Sequence, residues 1–117
     1  MKSRKGIVIA VFGLFLIAFS SCKKCNDENP RARVINNGSV PVSVQIKTSG
    51  GNTENINNVD PATSSDFRNY APGQVTFTIV VDKDEYIKAV AMEECFEYDI
   101  VIDAANNVVS IPTDRNE

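Results

Sequence analysis

The sequence predicts a mainly β protein, a small antiparallel β-sandwich of about six to seven strands that follows an N-terminal apolar segment. Three observations lead to this prediction. Apolar and polar residues alternate with a period of two after residue 32, the alternating runs are short, and turn-forming residues separate them. Such alternation is typical of strands that bury one face, and short strands at this spacing are typical of a two-sheet sandwich.

Three segments show the alternation most clearly, and we predict a strand in each. Their apolar positions are Val42, Val44 and Ile46 in the first, Val75, Phe77, Ile79 and Val81 in the second, and Phe96, Tyr98, Ile100 and Ile102 in the third. Weaker patterns predict strands over residues 32–36, 64–70 and 108–111. Residues 85–95 fit both a helical stripe and a strand; we favour a strand because the neighbouring segments are strands, and a helix here would make the fold α+β.

Turn signals separate these segments. Asn37-Gly38 and Gly50-Gly51-Asn52 can supply the positive φ values of tight turns, and Pro72-Gly73 suits a type II turn. Asn106-Asn107 predicts a hairpin tip. Residues 48–62 are rich in asparagine and poor in apolar side chains, which predicts a long loop of the kind that carries recognition on a rigid sandwich.

The first 22 residues have the features of an export signal. Basic residues at positions 2, 4 and 5 precede an apolar run of fourteen residues, 6–19, and the small residues Ser20 and Ser21 stand before Cys22. A membrane-spanning helix needs about 20 apolar residues. We therefore expect cleavage between Ser21 and Cys22; an uncleaved anchor is the alternative.

The stretch Phe19-Ser20-Ser21-Cys22 resembles the lipobox of bacterial lipoprotein precursors, including those of the Bacteroidetes type, although Phe19 replaces the usual leucine. The resemblance implies that Cys22 carries a diacylglycerol on its sulfur and becomes the new N-terminus. It also implies a lipid anchor in the outer membrane, in either the periplasmic or the cell-surface leaflet. An ordinary secretory signal is a further alternative. Residues 23–28 are similar to surface-export tags of such lipoproteins, and they also fit a solvated tether.

These features divide the chain into a signal peptide (1–21), a lipidated cysteine and flexible tether (22–31), a sandwich domain (32–113) and a disordered tail (114–117). Three of the twelve basic residues lie in the signal peptide, so nine basic against fifteen acidic residues give the remaining chain a net charge of −6. Such a surface repels nucleic acid and anionic lipid. We therefore expect no nucleic-acid partner.

If Cys22 is acylated, Cys25 and Cys95 are the remaining thiols. In an oxidising compartment they can form a disulfide, which would hold the domain close to its anchor. The alternative is that Cys95 is a small core residue and Cys25 a free thiol of the tether.

The folded segment is also similar to small surface β-sandwich domains of uncharacterised bacterial lipoproteins. The resemblance rests on Ala32-Arg33-Val34-Ile35-Asn36-Asn37, Ser64-Ser65-Asp66-Phe67 and Ala71-Pro72-Gly73-Gln74-Val75-Thr76-Phe77. It covers about half of the chain that remains after the signal peptide. It implies a fold and no activity, because one fold can host many functions.

The chain has no histidine, the commonest general base and metal ligand. We therefore expect no enzyme, no metal site and no cofactor apart from the lipid on Cys22. The acidic stretch 82–85 lacks the spacing of a calcium loop and predicts a solvated turn.

The expected function is a non-catalytic accessory binding or structural module, anchored to the membrane, with an envelope protein or a glycan as partner. The alternative is a surface protein that binds a glycan or small ligand through Tyr70, Tyr86 and the 48–62 loop. Tyrosine combines an apolar ring with a polar tip and can stack on sugars when it is exposed, although packing in the core is the more ordinary role.

Overall fold

The computed structural model describes residues 25–116, which form nine strands and no helix. We number the strands β1 to β9 in chain order. Their bounds are Arg31–Asn36 (β1), Val42–Lys47 (β2), Thr53–Val59 (β3), Thr63–Ser64 (β4), Arg68–Asn69 (β5), Gly73–Val81 (β6), Asp84–Met92 (β7), Phe96–Ile102 (β8) and Val108–Asp114 (β9). The predicted small β-sandwich is therefore confirmed. The helical alternative near 85–95 is wrong, because β7 occupies most of that segment.

Two sheets make up the sandwich. In the first, here the β8 sheet, the order is β9-β8-β1, and the short strands β4 and β5 both pair with the free side of β1. In the second, the β6 sheet, the order is β3-β2-β6-β7. Neighbouring strands run antiparallel with one exception, because β1 and β8 are parallel over six residue pairs. This parallel pair joins the first strand of the domain to the last strand but one.

The core lies between the sheets and is formed by alternate residues of the long strands. Phe77 of β6 is its largest fully buried side chain, and the ring of Tyr70 meets it edge-on at 6.4 Å between centroids. The predicted inward positions of the three clearest strands are buried, apart from a partly exposed Phe96. Each buried aliphatic or aromatic side chain of this size contributes about 1.5–3 kcal/mol through the hydrophobic effect.

The prediction of one long loop over 48–62 is wrong, because residues 53–59 in its middle form the edge strand β3. Only Ile56 and Val59 of this strand are buried. They are three residues apart because a bulge interrupts the pairing with β2, and Asn58 adopts a φ of 52° there. The bulge hides the period of two on which a strand prediction depends.

The single strand predicted over 64–70 is also wrong, because β4 and β5 are separated by residues 65–67. Ser65 replaces part of the missing ladder: its N–H donates to the carbonyl of Val34 at 2.8 Å, and its Oγ accepts from the N–H of Val34 at 2.9 Å. By contrast, the strand predicted over 108–111 continues to Asp114.

The turns predicted at Gly50-Gly51-Asn52 and at Asn106-Asn107 are present, and Gly51 and Asn106 have φ values of 90° and 63°. The type II turn predicted at Pro72-Gly73 is wrong, because Gly73, with a φ of 123°, is already the first residue of β6. The expectation for Asn37-Gly38 is wrong, since neither residue has a positive φ. The chain turns here because the Oδ1 atom of Asn36 accepts a hydrogen bond from the N–H of Gly38 at 2.8 Å.

The two poles of the sandwich follow from the strand directions. The segments 25–30, 48–52, 71–72, 93–95 and 115–116 meet at one end, which we call the Cys95 pole. The segments 37–41, 60–62, 82–83 and 103–107 meet at the other, which we call the Asp103 pole.

The predicted boundaries of the domain need correction at both ends. Cys25 and Pro30 are buried, so the chain predicted as tether is attached to the fold from residue 25, and β1 already begins at Arg31. At the other end Asp114 belongs to β9, and Arg115 donates its N–H to the carbonyl of Cys95 at 2.9 Å. The predicted signal peptide and Cys22 lie outside the described residues. Within residues 25–116, no helix has the length and apolar character to cross a membrane.

Candidate functional site

A disulfide joins Cys25 to Cys95 at the pole where the chain leads back toward Cys22. The two Cα atoms are 5.6 Å apart, and both residues are buried. Further contacts fix the same segment, because the N–H of Cys95 donates to the carbonyl of Glu28 and the guanidinium of Arg115 contacts both Glu28 and the carbonyl of Asn29. Residues 25–30 are thus held to the sandwich by covalent, polar and ionic contacts.

The two tyrosines predicted as ligand contacts do not form a binding platform. Tyr70 is only 3% exposed, and burial raises its pKa to about 12, with the nearby carboxylate of Glu54 adding to the shift. Tyr86 is half-buried and packs against the core cluster. The prediction is therefore wrong for Tyr70, whose ring is inaccessible, and Tyr86 offers only part of its ring.

Tyr98 is buried, as its inward position in β8 predicts. Its hydroxyl accepts a hydrogen bond from the N–H of Glu93 at 2.9 Å and lies 3.5 Å from the carbonyl of Ala91. The side chain therefore links the two sheets at the turn between β7 and β8. Its role is structural, since a buried tyrosine hydroxyl requires a partner of this kind.

A polar groove lies between β3 and the segment 63–68. Its volume is about 350 Å³, near the lower end of the range of about 300–1,000 Å³ in which proteins bind small molecules. The two sheets present free edges to each other here, and the groove occupies the gap. Its lining residues are Ile56, Asn57, Asn58, Val59, Asp60, Thr63, Ser64, Ser65, Asp66 and Arg68.

The walls of the groove are polar. Asn57, Asp60 and Asp66 are exposed, whereas Ile56 and Val59 of the same strand and turn are buried in the core. The side chains of the three exposed residues make no hydrogen bond to another residue of the described chain, so their donors and acceptors are available to a ligand. The groove therefore presents one amide and two carboxylates to solvent.

A second cavity, of about 360 Å³, lies at the Cys95 pole between Glu28, Asn29, Arg31, Asn69 and Arg115. Its two arginines are already paired, since Arg31 contacts Glu97 at 2.7 Å and Arg115 contacts Glu28 at 3.0 Å. The charges around this cavity therefore balance. The Nε atom of Arg115 is buried and has no hydrogen-bond partner among residues 25–116.

The outer face of the β8 sheet carries an ordered set of charges. Arg31 and Arg33 of β1 lie directly opposite Glu97 and Asp99 of β8 and form ion pairs of 2.7 and 2.9 Å. Both guanidinium carbons also lie 4.8 Å from the ring centroid of Phe67. These contacts hold Phe67 of the segment between β4 and β5 against the outer face of the sheet.

The same face carries an apolar row beside these charges. Val109, Val101 and Ile35 are directly opposite one another across β9, β8 and β1. Val109 and the adjacent Ile111 are about half exposed. This patch is small, and no other segment of residues 25–116 covers it.

Within residues 25–116, acidic and cysteine side chains do not gather into a group of three or more that could hold a metal ion. Comparisons with models of known protein families, with curated proteins and with solved structures find no match.

Sequence reasoning did not find the groove, although part of its wall lies in the segment 48–62 that composition singled out. The residues that complete it, Ser64 to Asp66 and Arg68, come from a segment predicted as a strand. The two walls come together because β3 belongs to the β6 sheet whereas β4 and β5 belong to the β8 sheet. No pattern within either segment indicates that arrangement.

Proposed function

We propose that this chain is a membrane-anchored lipoprotein of the cell envelope, and that its sandwich is a non-catalytic accessory module for binding or support. The observation that carries the anchor is in the sequence: a basic start, a short apolar run and two serines before Cys22. A lipoprotein carries several acyl chains. Each buried methylene contributes about 0.8 kcal/mol, and two or more chains give stable attachment.

The disulfide supports this proposal by explaining how the sandwich would sit on its anchor. Cys25 is three residues beyond Cys22, and three extended residues span at most about 11 Å. Because Cys25 is joined to Cys95, the Cys95 pole would stay near the bilayer and the Asp103 pole would face away from it. The net charge of −6 after processing would also keep the sandwich from lying flat on anionic lipid.

The non-catalytic role is supported by the chemistry of the side chains. The usual serine and cysteine triads need histidine, which the chain lacks. The groove places carboxylates, amides and hydroxyls on its walls, and these groups suit recognition through hydrogen bonds.

Metabolic labelling with a palmitate analogue tests the anchor. We expect the original protein to incorporate the label in the membrane fraction and Cys22→Ser to lose it. Cys25→Ser is the matched control, because it removes a nearby thiol and the disulfide but leaves the lipid site, so its labelling should persist. Labelling of Cys22→Ser as strong as that of the original would refute the proposal, as would a mature protein that retains residues 1–21.

A further inference from the structure

We infer that the groove between β3 and the segment 63–68 binds a neutral oligosaccharide through Asn57, Asp60 and Asp66. This inference rests on the proposed binding role of the module and names its ligand class. It replaces the predicted ligand contacts Tyr70 and Tyr86, because the ring of Tyr70 is buried in the core.

The polar groups of the groove match those of a polyhydroxyl ligand. A sugar presents hydroxyl groups that both donate and accept hydrogen bonds. Carboxylates accept hydroxyl protons, and an amide both donates and accepts, which is the repertoire of Asp60, Asp66 and Asn57. Ile56 and Val59 are buried in the core, so the contacts to the ligand come from these polar side chains.

The charge of the groove disfavours an anionic ligand. Two exposed carboxylates line it, and the guanidinium of Arg68 lies 3.5 Å from Glu54. A phosphate or uronate would meet Asp60 and Asp66, which would repel it. Neutral hydroxyl groups meet no such repulsion and match the donors and acceptors of the walls.

An extended peptide does not fit the groove well as an added strand, because the free edge of β3 is interrupted and two of its carbonyls already have partners. The carbonyl of Asn55 accepts a hydrogen bond from Arg68 Nη1 at 3.4 Å, and that of Val59 accepts one from Asn36 Nδ2 at 2.8 Å. The bulge at Asn58 also interrupts the edge. Strand addition depends on a continuous row of backbone groups, which is lacking here.

The walls of the groove are fixed before any ligand arrives. Ser65 bonds Val34 in both directions, Thr63 Oγ1 donates to the carbonyl of Asp60 at 2.7 Å, and the N–H of Ala62 donates to the carbonyl of Asn36 at 2.7 Å. A backbone held in this way loses less conformational entropy on binding than a mobile loop would, which favours affinity. The groove also extends to Asp60 at the Asp103 pole, the end that would face away from the membrane.

The test uses the full-length protein purified in mild detergent, labelled with ¹⁵N and titrated with maltohexaose, cellohexaose and mannohexaose. Sugar at about 10 mM reveals dissociation constants in the millimolar range. We expect at least one of the three to shift amide resonances of the groove. Asn57→Ala and Asp66→Ala should weaken that binding by about tenfold or more, because each removes hydrogen bonds to the ligand.

Matched controls separate the groove from the rest of the surface. Asn37→Ala and Glu85→Ala remove the same types of exposed side chain elsewhere and should bind as the original does. The inference is overturned if none of the sugars binds, if the groove variants bind as well as the controls, or if oligogalacturonate or a lysine-rich peptide binds more tightly. The Cys22→Ser protein is titrated in parallel: its binding reports on the groove and its lack of label on the anchor, so the two proposals fail separately.

Discussion

At the scale of single residues, Asn36 is the buried polar side chain that holds together the end of β1, the turn into β2 and the end of β3. It is fully buried at the end of β1. Its Nδ2 atom donates to the carbonyls of Val40 and Val59, and its Oδ1 atom accepts from the N–H of Gly38, each at 2.8 Å. One amide therefore shapes the turn into β2 and ties the end of β3 to β1, which also fixes one end of the groove.

Replacing Asn36 with alanine should lower the free energy of unfolding by about 2–4 kcal/mol. The change leaves two carbonyls and one N–H without their partner, and each buried unsatisfied group costs about 1–3 kcal/mol. Urea denaturation measures the loss, and Asn37→Ala is the control because the neighbouring side chain is exposed. Equal midpoints for the two variants would contradict the role given to Asn36.

The raised pKa of Tyr70 leads us to expect that the folded protein loses stability at alkaline pH. The folded pKa of about 12 lies above the ordinary value of 10.0, so the folded state favours the neutral phenol. The resulting stabilisation is complete below pH 10 and is lost as the pH rises to 12, by about 2 kcal/mol. We expect Tyr70→Phe to lack this part of the pH dependence. The measurement compares unfolding free energies of both proteins at pH 9 and pH 12; parallel curves would show that the phenol ionises as freely in the fold as in the unfolded chain.

At the scale of elements, β9 shows how a free sheet edge is protected. At the two ends of the β8–β9 ladder, the N–H of Asp103 donates to the carbonyl of Asn107 and the N–H of Arg115 donates to the carbonyl of Cys95. Because bonded pairs alternate, residues 108, 110, 112 and 114 direct their backbone groups away from β8. Pro112 occupies one of these positions, so it interrupts the outer row of N–H groups without removing a bond to β8.

Replacing Pro112 with valine should therefore promote self-association through β9. The change restores an outward N–H beside the exposed Val109 and Ile111, and unprotected edges pair with other chains. Sedimentation of the two proteins over a range of concentrations measures the effect. Thr113→Val is the control, since it adds the same side chain at a position whose N–H faces β8. Similar association of both variants would assign the effect to apolar surface alone.

A strand could be predicted from the sequence where apolar and polar residues alternate without interruption along it. The alternation survives in β2, β6 and β8, where buried and exposed positions alternate without interruption, and these strands were predicted. It fails in β3, where the Asn58 bulge places buried residues three apart, and between β4 and β5, where Ser65 substitutes its side chain for backbone pairing. The parallel pairing of β1 with β8 depends on residues 66 positions apart, which no local pattern encodes.

The same limit applies to the site. Composition drew attention to residues 48–62, and the chemistry of Asn57 and Asp60 agrees with that emphasis. The prediction failed for Tyr70 because a tyrosine can serve equally in a core or on a surface, and only its packing on Phe77 in the assembled fold decides between the two. The groove arises where two sheet edges face each other. It is thus a property of the assembled fold.

At the scale of the whole molecule, the Cys25–Cys95 disulfide connects the start of the folded chain to β8 across 70 residues of sequence. In the chain-entropy model, closing a loop of this length stabilises the fold by about 4 kcal/mol, and typical measured values are about 2–4 kcal/mol. The bridge also adds to the parallel β1–β8 pairing, since both hold the same two parts of the chain together.

Breaking this disulfide should lower the unfolding free energy by about 2–4 kcal/mol while leaving the sandwich folded, because the core between the sheets does not include the two cysteines. Urea denaturation with and without reductant measures the loss in the original protein. The Cys25→Ser, Cys95→Ser double variant is the control: it should match the reduced protein and should not respond to reductant. An original protein whose midpoint is unchanged by reduction would show that Arg115, Glu28 and the β1–β8 ladder suffice to hold the segment 25–30. In that case the pole nearest the proposed anchor would be fixed by polar contacts alone.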